Sequence, residues 1–368
     1  MSRYARICEV TMKTGSKKIG TREVNTTKGK VSVQDVNKIL IHEHMLIDMR
    51  HEAIQPEDES AISLFSSDVN HGNIEMLRKN PYCVLNNLLL DDVEMAISEL
   101  TAARDSGVDL LVDVTSEGLR RDVTKLQQIS DATNVHIVAG CGLFTHDSLP
   151  EKCSSWSIQR IADWMIGDIN EGIDGTGIKA GIIGEIGTSE VIYPIEERSL
   201  FASACAYRAS GLPIMLHIYP WSEAGLDAAQ LLLSEGVPPE KICICHVDVT
   251  FNESFIFKLL NLGLYIGFDN FGKEFELENQ SGAFAGGSFE TDERRVSMLS
   301  RLCSSGYTNR ILLANDVCLK SLLGAYGGNG YVHLFRKIIP MMQKEGLDEE
   351  TIDLLTDRNQ KAFLFETA

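Results

Sequence analysis

The chain has 368 residues, 44% of them hydrophobic and 23% charged, the balance of a soluble globular protein. With 34 Lys+Arg against 52 Asp+Glu its formal net charge is −18. Such an acidic excess argues against a nucleic-acid-binding or anionic-membrane-binding surface, because both require a basic footprint.

Residues 1–37 are polar and Thr/Lys-rich, and are expected to form a small β-hairpin closing the bottom of the fold. Eight short, β-rich apolar runs follow: 38–42 (KILIH), 110–115 (LLVDVT), 135–140 (VHIVAG), 181–186 (GIIGEI), 213–217 (PIMLH), 242–246 (ICICH), 264–268 (LYIGF) and 311–316 (ILLAND). Continuous apolar runs bounded by Gly, Pro or polar residues suit strands of a parallel sheet, which are buried on both faces. Helical patterns fill most of the gaps. The segment 90–107 has Asp91 and Asp92 at its start, apolar Val93, Ala96, Ile97 and Leu100, and a terminating Gly107. Comparable patterns occupy 121–133, 195–211, 222–236 and 291–306, and a helical tail covers 331–346 and 348–365.

This alternation predicts a (β/α)8 TIM barrel with an N-terminal β-hairpin extension and a C-terminal helical tail. The expected organisation is one domain over 1–368, with the extension at 1–37, the barrel core at 38–330 and the tail at 331–368. A doubly wound open sheet is the runner-up, but it would want a glycine-rich phosphate loop after strand one. Here strand one runs into HEHM. Two connections, 51–89 and 269–290, are long enough to be functional lids or mobile segments over the C-terminal mouth.

Polar residues at the strand ends carry the chemistry. Strand one ends in His42-Glu43-His44, where residues two apart point the same way, so both imidazoles can reach one metal while Glu43 faces elsewhere. Strand four carries Glu185, strand five ends at His217, strand six at His246 and strand eight at Asp316. A parallel barrel brings all these ends to one mouth. Each residue alone has a bland reading as packing or capping, but their occurrence on five strands together points to a metal site of mixed N/O donors. Cys141, Cys243 and Cys245 read as packing. His51, His71, His146 and His333 read as surface residues, and His136 as a core histidine.

The segments ILIHEHM, KAGIIGEIGTSE, PIMLH, ICICHVD, LLAND and DRNQKAFLF, in that order, resemble the phosphotriesterase family of the amidohydrolase superfamily. The resemblance extends over about 38–365, and the branch it favours is that of the phosphotriesterase homology proteins. It implies two divalent metal ions, zinc first, with manganese, cobalt, nickel or iron as alternatives. By the same resemblance His42, His44 and Asp316 hold the more buried ion, and His217 and His246 the more exposed one. Glu185 bridges them. Gly184 stands where other branches place a carboxylated lysine, so none is expected there, and Lys179 reads as structural.

Two such ions lower the pKa of a shared water towards neutrality and polarise a carbonyl or phosphoryl oxygen, and Asp316 would shuttle the proton to the leaving group. The expected substrate is a small ester, lactone or phosphoester. Organophosphate hydrolysis, or metal binding without turnover, are the alternatives. Asn270 replaces the histidine or arginine of other branches, Phe144 their Trp or Tyr, and Asn270, Phe271 and Lys273 open the seventh loop as candidate substrate contacts. No run of about 18 apolar residues is present, and residues 1–20 lack the apolar block of a signal peptide. Nine scattered cysteines without a CxxC pair suit a reduced, cytoplasmic setting. A homodimer is expected from the family, with no nucleic-acid or membrane partner.

Overall fold

The structure is a computed structural model that describes residues 22–277 and 286–366. The N-terminal hairpin is present as β1 (Glu23–Thr26) and β2 (Gly29–Ser32), paired antiparallel, while residues 1–21 lie outside the described part. Its Val24 and Val31 pack into the same buried cluster as Ile39, Leu110 and Val138 of the barrel strands, and Thr27 N–H bonds to Ile137 O. The hairpin therefore closes the barrel at the N-terminal ends of the strands, as expected of the polar, Thr/Lys-rich stretch.

The barrel strands are β3 (Ile39–Glu43), β6 (Leu110–Asp113), β7 (His136–Cys141), β8 (Ile182–Gly187), β9 (Ile214–His217), β10 (Ile242–Ile244), β11 (Tyr265–Phe268) and β12 (Ile311–Leu313). All pair in parallel, in the order β3-β6-β7-β8-β9-β10-β11-β12, and β12 comes back against β3. A short antiparallel pair, β4 (Ile47–Asp48) with β5 (Leu89–Leu90), ties the two ends of the long first connection together. That connection is structured, with helices α1 (Glu59–Phe65) and α2 (Ile74–Lys79). The seventh-loop tip, including Gly282, falls among residues 278–285, outside the described part.

Helices α3 (Val93–Asp105), α4 (Val123–Thr133), α5 (Ile158–Asn170), α6 (Pro194–Ser210), α7 (Ala224–Ser234), α8 (Glu253–Asn261) and α9 (Asp292–Ser304) cover the outside of the barrel. Their ends follow capping chemistry. The Asp92 carboxylate accepts from Met95 N–H at the start of α3, and Gly211 stops α6 with φ 75°. Neighbouring residues within a strand divide between two cores. Ile39, Leu110, Val112, Cys243 and Leu312 join the cluster inside the barrel, while Leu40, Leu111, Ile242 and Ile244 pack under the helices. Cys243 and Cys245 are thus buried packing residues. The tail helices continue past the barrel and end in a last helix, Asn359–Phe365, whose Phe363 and Phe365 plug the interior cluster. Among the described residues no helix is long and apolar enough to cross a membrane.

Strands end earlier than the sequence suggested. β10 stops at Ile244 and β12 at Leu313, so His246 and Asp316 lie beyond the ladders, each with a left-handed backbone (φ 61° and 49°). These turns re-aim the side chains into the mouth, which a regular strand would not do.

Two glycines are dictated by space. A Cβ on Gly140 would lie 1.9 Å from Gly184 O, and one on Gly184, at φ +139°, would lie 2.7 Å from Met215 O. The backbone at β7, β8 and β9 is drawn together there, which leaves no room for any side chain at 184, lysine included. Gly140→Ala should destabilise the fold by about 2 kcal/mol or more, measured as a lowered urea midpoint with an unchanged m-value. An unchanged midpoint would show that the strands can separate locally.

Candidate functional site

Six donor residues from five strand ends converge at the C-terminal mouth, all at least nine-tenths buried: His42, His44, Glu185, His217, His246 and Asp316. Glu185 is at the centre. Its Oε1 lies 2.8 Å from His246 Nε2, 3.3 Å from His217 Nδ1 and 3.5 Å from His42 Nε2, and its Oε2 lies 4.0 Å from His44 Nε2. Asp316 Oδ1 lies 3.2 Å from His44 Nε2 and 3.7 Å from His42 Nε2. Donor atoms of His42, His44 and Glu185 lie within 4.8 Å of one another, as do those of Glu185, His217 and His246. These two trios share Glu185, and either could hold a metal ion. Both ring nitrogens of His42 are buried without a hydrogen-bond partner, which is costly for a polar group unless something else satisfies it. A cation among these donors would satisfy Nε2, which faces Glu185 and Asp316, while Nδ1 is turned towards Asp269 Oδ2 at 3.5 Å.

Behind the donors sits a layer of carboxylates that the strand-end reading did not assign. Glu43, facing away from the cluster, accepts from Asn315 N–H (3.0 Å), Asn315 Nδ2 (2.9 Å) and Val317 N–H (2.8 Å). It therefore grips the chain on both sides of Asp316 and clamps the end of β12 to β3. Asp113 accepts from Met45 N–H (2.8 Å) and Thr115 N–H (3.1 Å), and Thr115 Oγ1 lies 2.8 Å from His44 Nδ1. Asp269 lies 2.9 Å from His246 Nδ1 and accepts from His246 N–H at 2.9 Å, fixing both ring and backbone. A trio of His42, His246 and Asp269 also comes within ligand range, but Asp269 already bonds the far nitrogen of His246, the arrangement of a ligand-orienting carboxylate. Asp269 follows strand seven directly, so the strand-end logic could have found it. Glu43 carried no such signal, because its partners lie more than 270 residues away.

The electrostatics reflect this crowding. Burial would raise the Glu185 carboxyl, but His42 and His217 hold it well below an ordinary glutamate. Burial would likewise lower His246, yet Asp269 and Glu185 hold it well above an ordinary histidine. For His42 burial wins and its pKa falls despite Glu185. Asp316 is kept ionised against burial by Lys273, whose ammonium is bonded to Asp316 Oδ2, and by His44. Burial pushes Glu43 up to about 8, in spite of its backbone donors.

Above the cluster opens a narrow recess walled by Phe144, Phe275, Leu277, Phe289 and Leu319, with Glu52 and Tyr82 from the first long connection. Phe144 is in the wall of the recess and meets His217 edge-on, ring centroids 4.5 Å apart. Asn270 and Phe271 do not line this recess. Asn270 is buried, and its Nδ2 donates to Asp248 (3.1 Å) and Asp269 (2.8 Å), a competition among acceptors that draws it away from the mouth. Phe271 turns to a separate cavity shared with His333. His333, expected at the surface, is buried and bonded to Asp292 at 2.6 Å. His136 is only part-buried, with a burial-lowered pKa and an unpartnered Nδ1. Lys179 is exposed at the opposite end, beside Lys28 and Asn25 of the hairpin.

A parallel barrel with histidines and carboxylates gathered at its C-terminal mouth defines a class of metal-assisted barrel proteins. Within that class the chain belongs to the phosphotriesterase family, whose model matches residues 22–364. It is 32% identical over 343 residues to a phosphotriesterase-related protein of Nematostella vectensis, covering 92% of this chain and 97% of that one. It is 31% identical over 347 residues to an N-acetyltaurine hydrolase of Tetraodon nigroviridis, with 93% and 97% covered. Among solved structures, a resiniferatoxin-binding protein from Rhodobacter sphaeroides superimposes with a TM-score of 0.89 at 30% identity, covering 94% of this chain and 96% of that one. Family and relatives together mark the chain as a hydrolase.

The Glu43 clamp has a measurable consequence. Glu43→Gln would set an amide NH₂ against one of the N–H donors of Asn315 or Val317, so metal content should fall and thermal stability drop by about 1–3 kcal/mol. Full metal content with an unchanged Tm would show that Asp316 is placed without this carboxylate.

Proposed function

We propose that the chain is a hydrolase that holds two divalent cations, zinc first, and cleaves a carboxylic ester or lactone, with a phosphoester as the further option. The carrying observation is the pair of donor trios that meet on Glu185, with His42 Nε2, the nitrogen that faces them, left for another partner. In this reading His42, His44 and Asp316 serve one cation, His217 and His246 the other, and Glu185 both. Cations bound there supply Lewis acidity and a water acidified towards neutrality.

The remaining work falls to the side chains. Asp269 and Thr115 fix the imidazoles His246 and His44 by their far nitrogens, so their ligand nitrogens need no reorganisation. Asp316, held ionised, accepts the proton of the attacking water and returns it to the leaving group. Phe144 and Phe289 exclude bulk water from the recess. Glu52, pushed up to about 7 by burial, accepts a 3.0 Å hydrogen bond from Tyr82 Oη and adds a polar contact to the wall.

A second reading, hydrolysis of a small N-acyl amide, is supported by the relatives named N-acetyltaurine hydrolase, of which that from Mus musculus is 31% identical over 344 residues. The same chemistry at a carbonyl carbon serves both. Metal binding without turnover is the third outcome, and a panel of lactones, aryl esters, paraoxon-like triesters and N-acetyltaurine, assayed with zinc or manganese, separates the three.

Glu185→Ala should lose bound metal and turnover together while the far-ultraviolet circular dichroism stays that of the folded barrel. Two metals per chain in that variant would overturn the bridging role. Asp316→Asn should lower kcat by roughly 10²-fold or more with a much smaller change in KM, and an effect confined to KM would remove Asp316 from proton transfer.

A further inference from the structure

Lys273 is the sole lysine or arginine among the described residues that line the recess, and it is only 4% exposed. Its backbone is fixed at both ends: Lys273 N–H donates to Asn270 O at 3.1 Å, and Lys273 O accepts from Arg295 Nη2 at 2.9 Å. The preceding Gly272, at φ 88°, turns the chain with its N–H on Asp292 Oδ1 at 2.9 Å. A side chain that carries a charge has thus been placed on a rigid turn, among phenyl rings, at the floor of the mouth.

A buried ammonium is costly unless it is paired, and Asp316 accounts for only part of the pairing. Lys273 Nζ bonds to Asp316 Oδ2 and faces the Cys318 thiol, whereas an ammonium has three donors. Asp316 Oδ1 is turned towards His44 and His42. Once that carboxylate shares its charge with a cation, as the function proposed above requires, it compensates the ammonium less. Among the other wall residues Phe144, Phe275 and Phe289 offer no counter-charge, while Glu52 and Asp269 act on the ammonium through space without a hydrogen bond to it.

Resting on the hydrolase reading, we propose that Lys273 is an anion seat: the substrate carries a carboxylate, sulfonate or phosphate that docks on Nζ while its scissile bond lies over the Glu185–Asp316 cluster. The acidic surface of the chain gives no general attraction for such anions, so selection falls to this one buried donor. Charge-assisted hydrogen bonds of this kind are short and strong, and a well-packed apolar wall strengthens them further.

The test compares two esters that differ only in charge, 4-nitrophenyl acetate and mono-4-nitrophenyl succinate, on the zinc-loaded protein and on its Lys273→Met and Lys273→Arg variants. Calorimetric binding of ethanesulfonate and succinate to the same proteins provides a readout independent of turnover, with metal content checked in each. The wild type should favour the anionic ester; Lys273→Met should lower kcat for both esters, because Asp316 loses its partner, and should in addition reduce the anionic-to-neutral ratio of kcat/KM by ~10- to 100-fold. Anion binding should vanish with it, and Lys273→Arg should restore part of both. If Lys273→Met depresses both esters alike and still binds the anions, Lys273 serves Asp316 alone and the proposal is overturned. If the wild type turns over neither ester, the hydrolase reading suffers instead. The anion seat then stands or falls on whether the variant loses anion binding with its metal content intact.

Discussion

A carboxylate sealed inside a barrel must be met by positive charge or by hydrogen-bond donors, and most of this site follows from how Glu185 meets that demand. Four imidazoles from three strand ends approach its two oxygens within 4.0 Å. Imidazoles solve the problem only partly, since burial lowers the affinity of His42 and His217 for protons even as Glu185 raises it. Nearby, Glu43, Asp113, Asp248, Asp269 and Asp316 are also buried, and the buried side-chain cations among them are Lys273 and Arg295. Asp292 adds a further acid beside Arg295, and even with the raised His246 imidazole counted the acids outnumber the bases, an electrostatic deficit. Protonation relieves some of it, as the raised Glu43 and Asp248 carboxyls show, but a pair of divalent cations would relieve it without sacrificing the donors.

The same constraint explains the backbone around the mouth. His246 and Asp316 adopt left-handed conformations that non-glycine residues seldom take, and each is held there by a neighbouring carboxylate. Asp269 grips His246 through its amide and ring, and Glu43 grips the residues flanking Asp316. Asp248, in turn, receives Arg295 Nε at 3.0 Å and the Asn270 amide at 3.0 Å. The strain at the ligands is thus offset one layer out, in a network that ties β3, β10, β11, β12 and α9 together. Rigid placement of this kind is what a metal site needs, and it makes the carboxylate layer as much a part of the site as the donors.

How much of this was legible beforehand depended on range. Alternating apolar runs and glycine stops are local, so the eight strands and the long helices could be read directly, and the barrel then delivered the six donors to one mouth. The strand ends were overextended because periodicity cannot distinguish a strand's last residue from a turn that continues it, as at His246 and Asp316. What stayed hidden was pairing at a distance. Glu43 sits between two histidines and reads as the residue that faces away, which it does. Its partners Asn315 and Val317, however, are brought to it only by closure of the barrel. Asn270 had a loop position suited to substrate, but two buried acceptors claimed its amide. His333 looked solitary until α9 presented Asp292 to it.

Asn270 and Lys273 together show how a site can keep its chemistry while its specificity drifts. The residue after Asp269 is turned away from the mouth, so a substitution there acts on the buried network rather than on the substrate. Three residues later the chain doubles back through Gly272, and Lys273 brings a cation into the mouth from a backbone already anchored by Arg295. The donors around Glu185 cannot vary without disturbing the charge balance of the whole core. The side chain at 273 enters that balance through a single oxygen of Asp316 and otherwise faces the recess. On the hydrolase reading, selectivity would reside in that turn and in the first long connection that supplies Glu52 and Tyr82, and bond cleavage would fall to the donors beneath them.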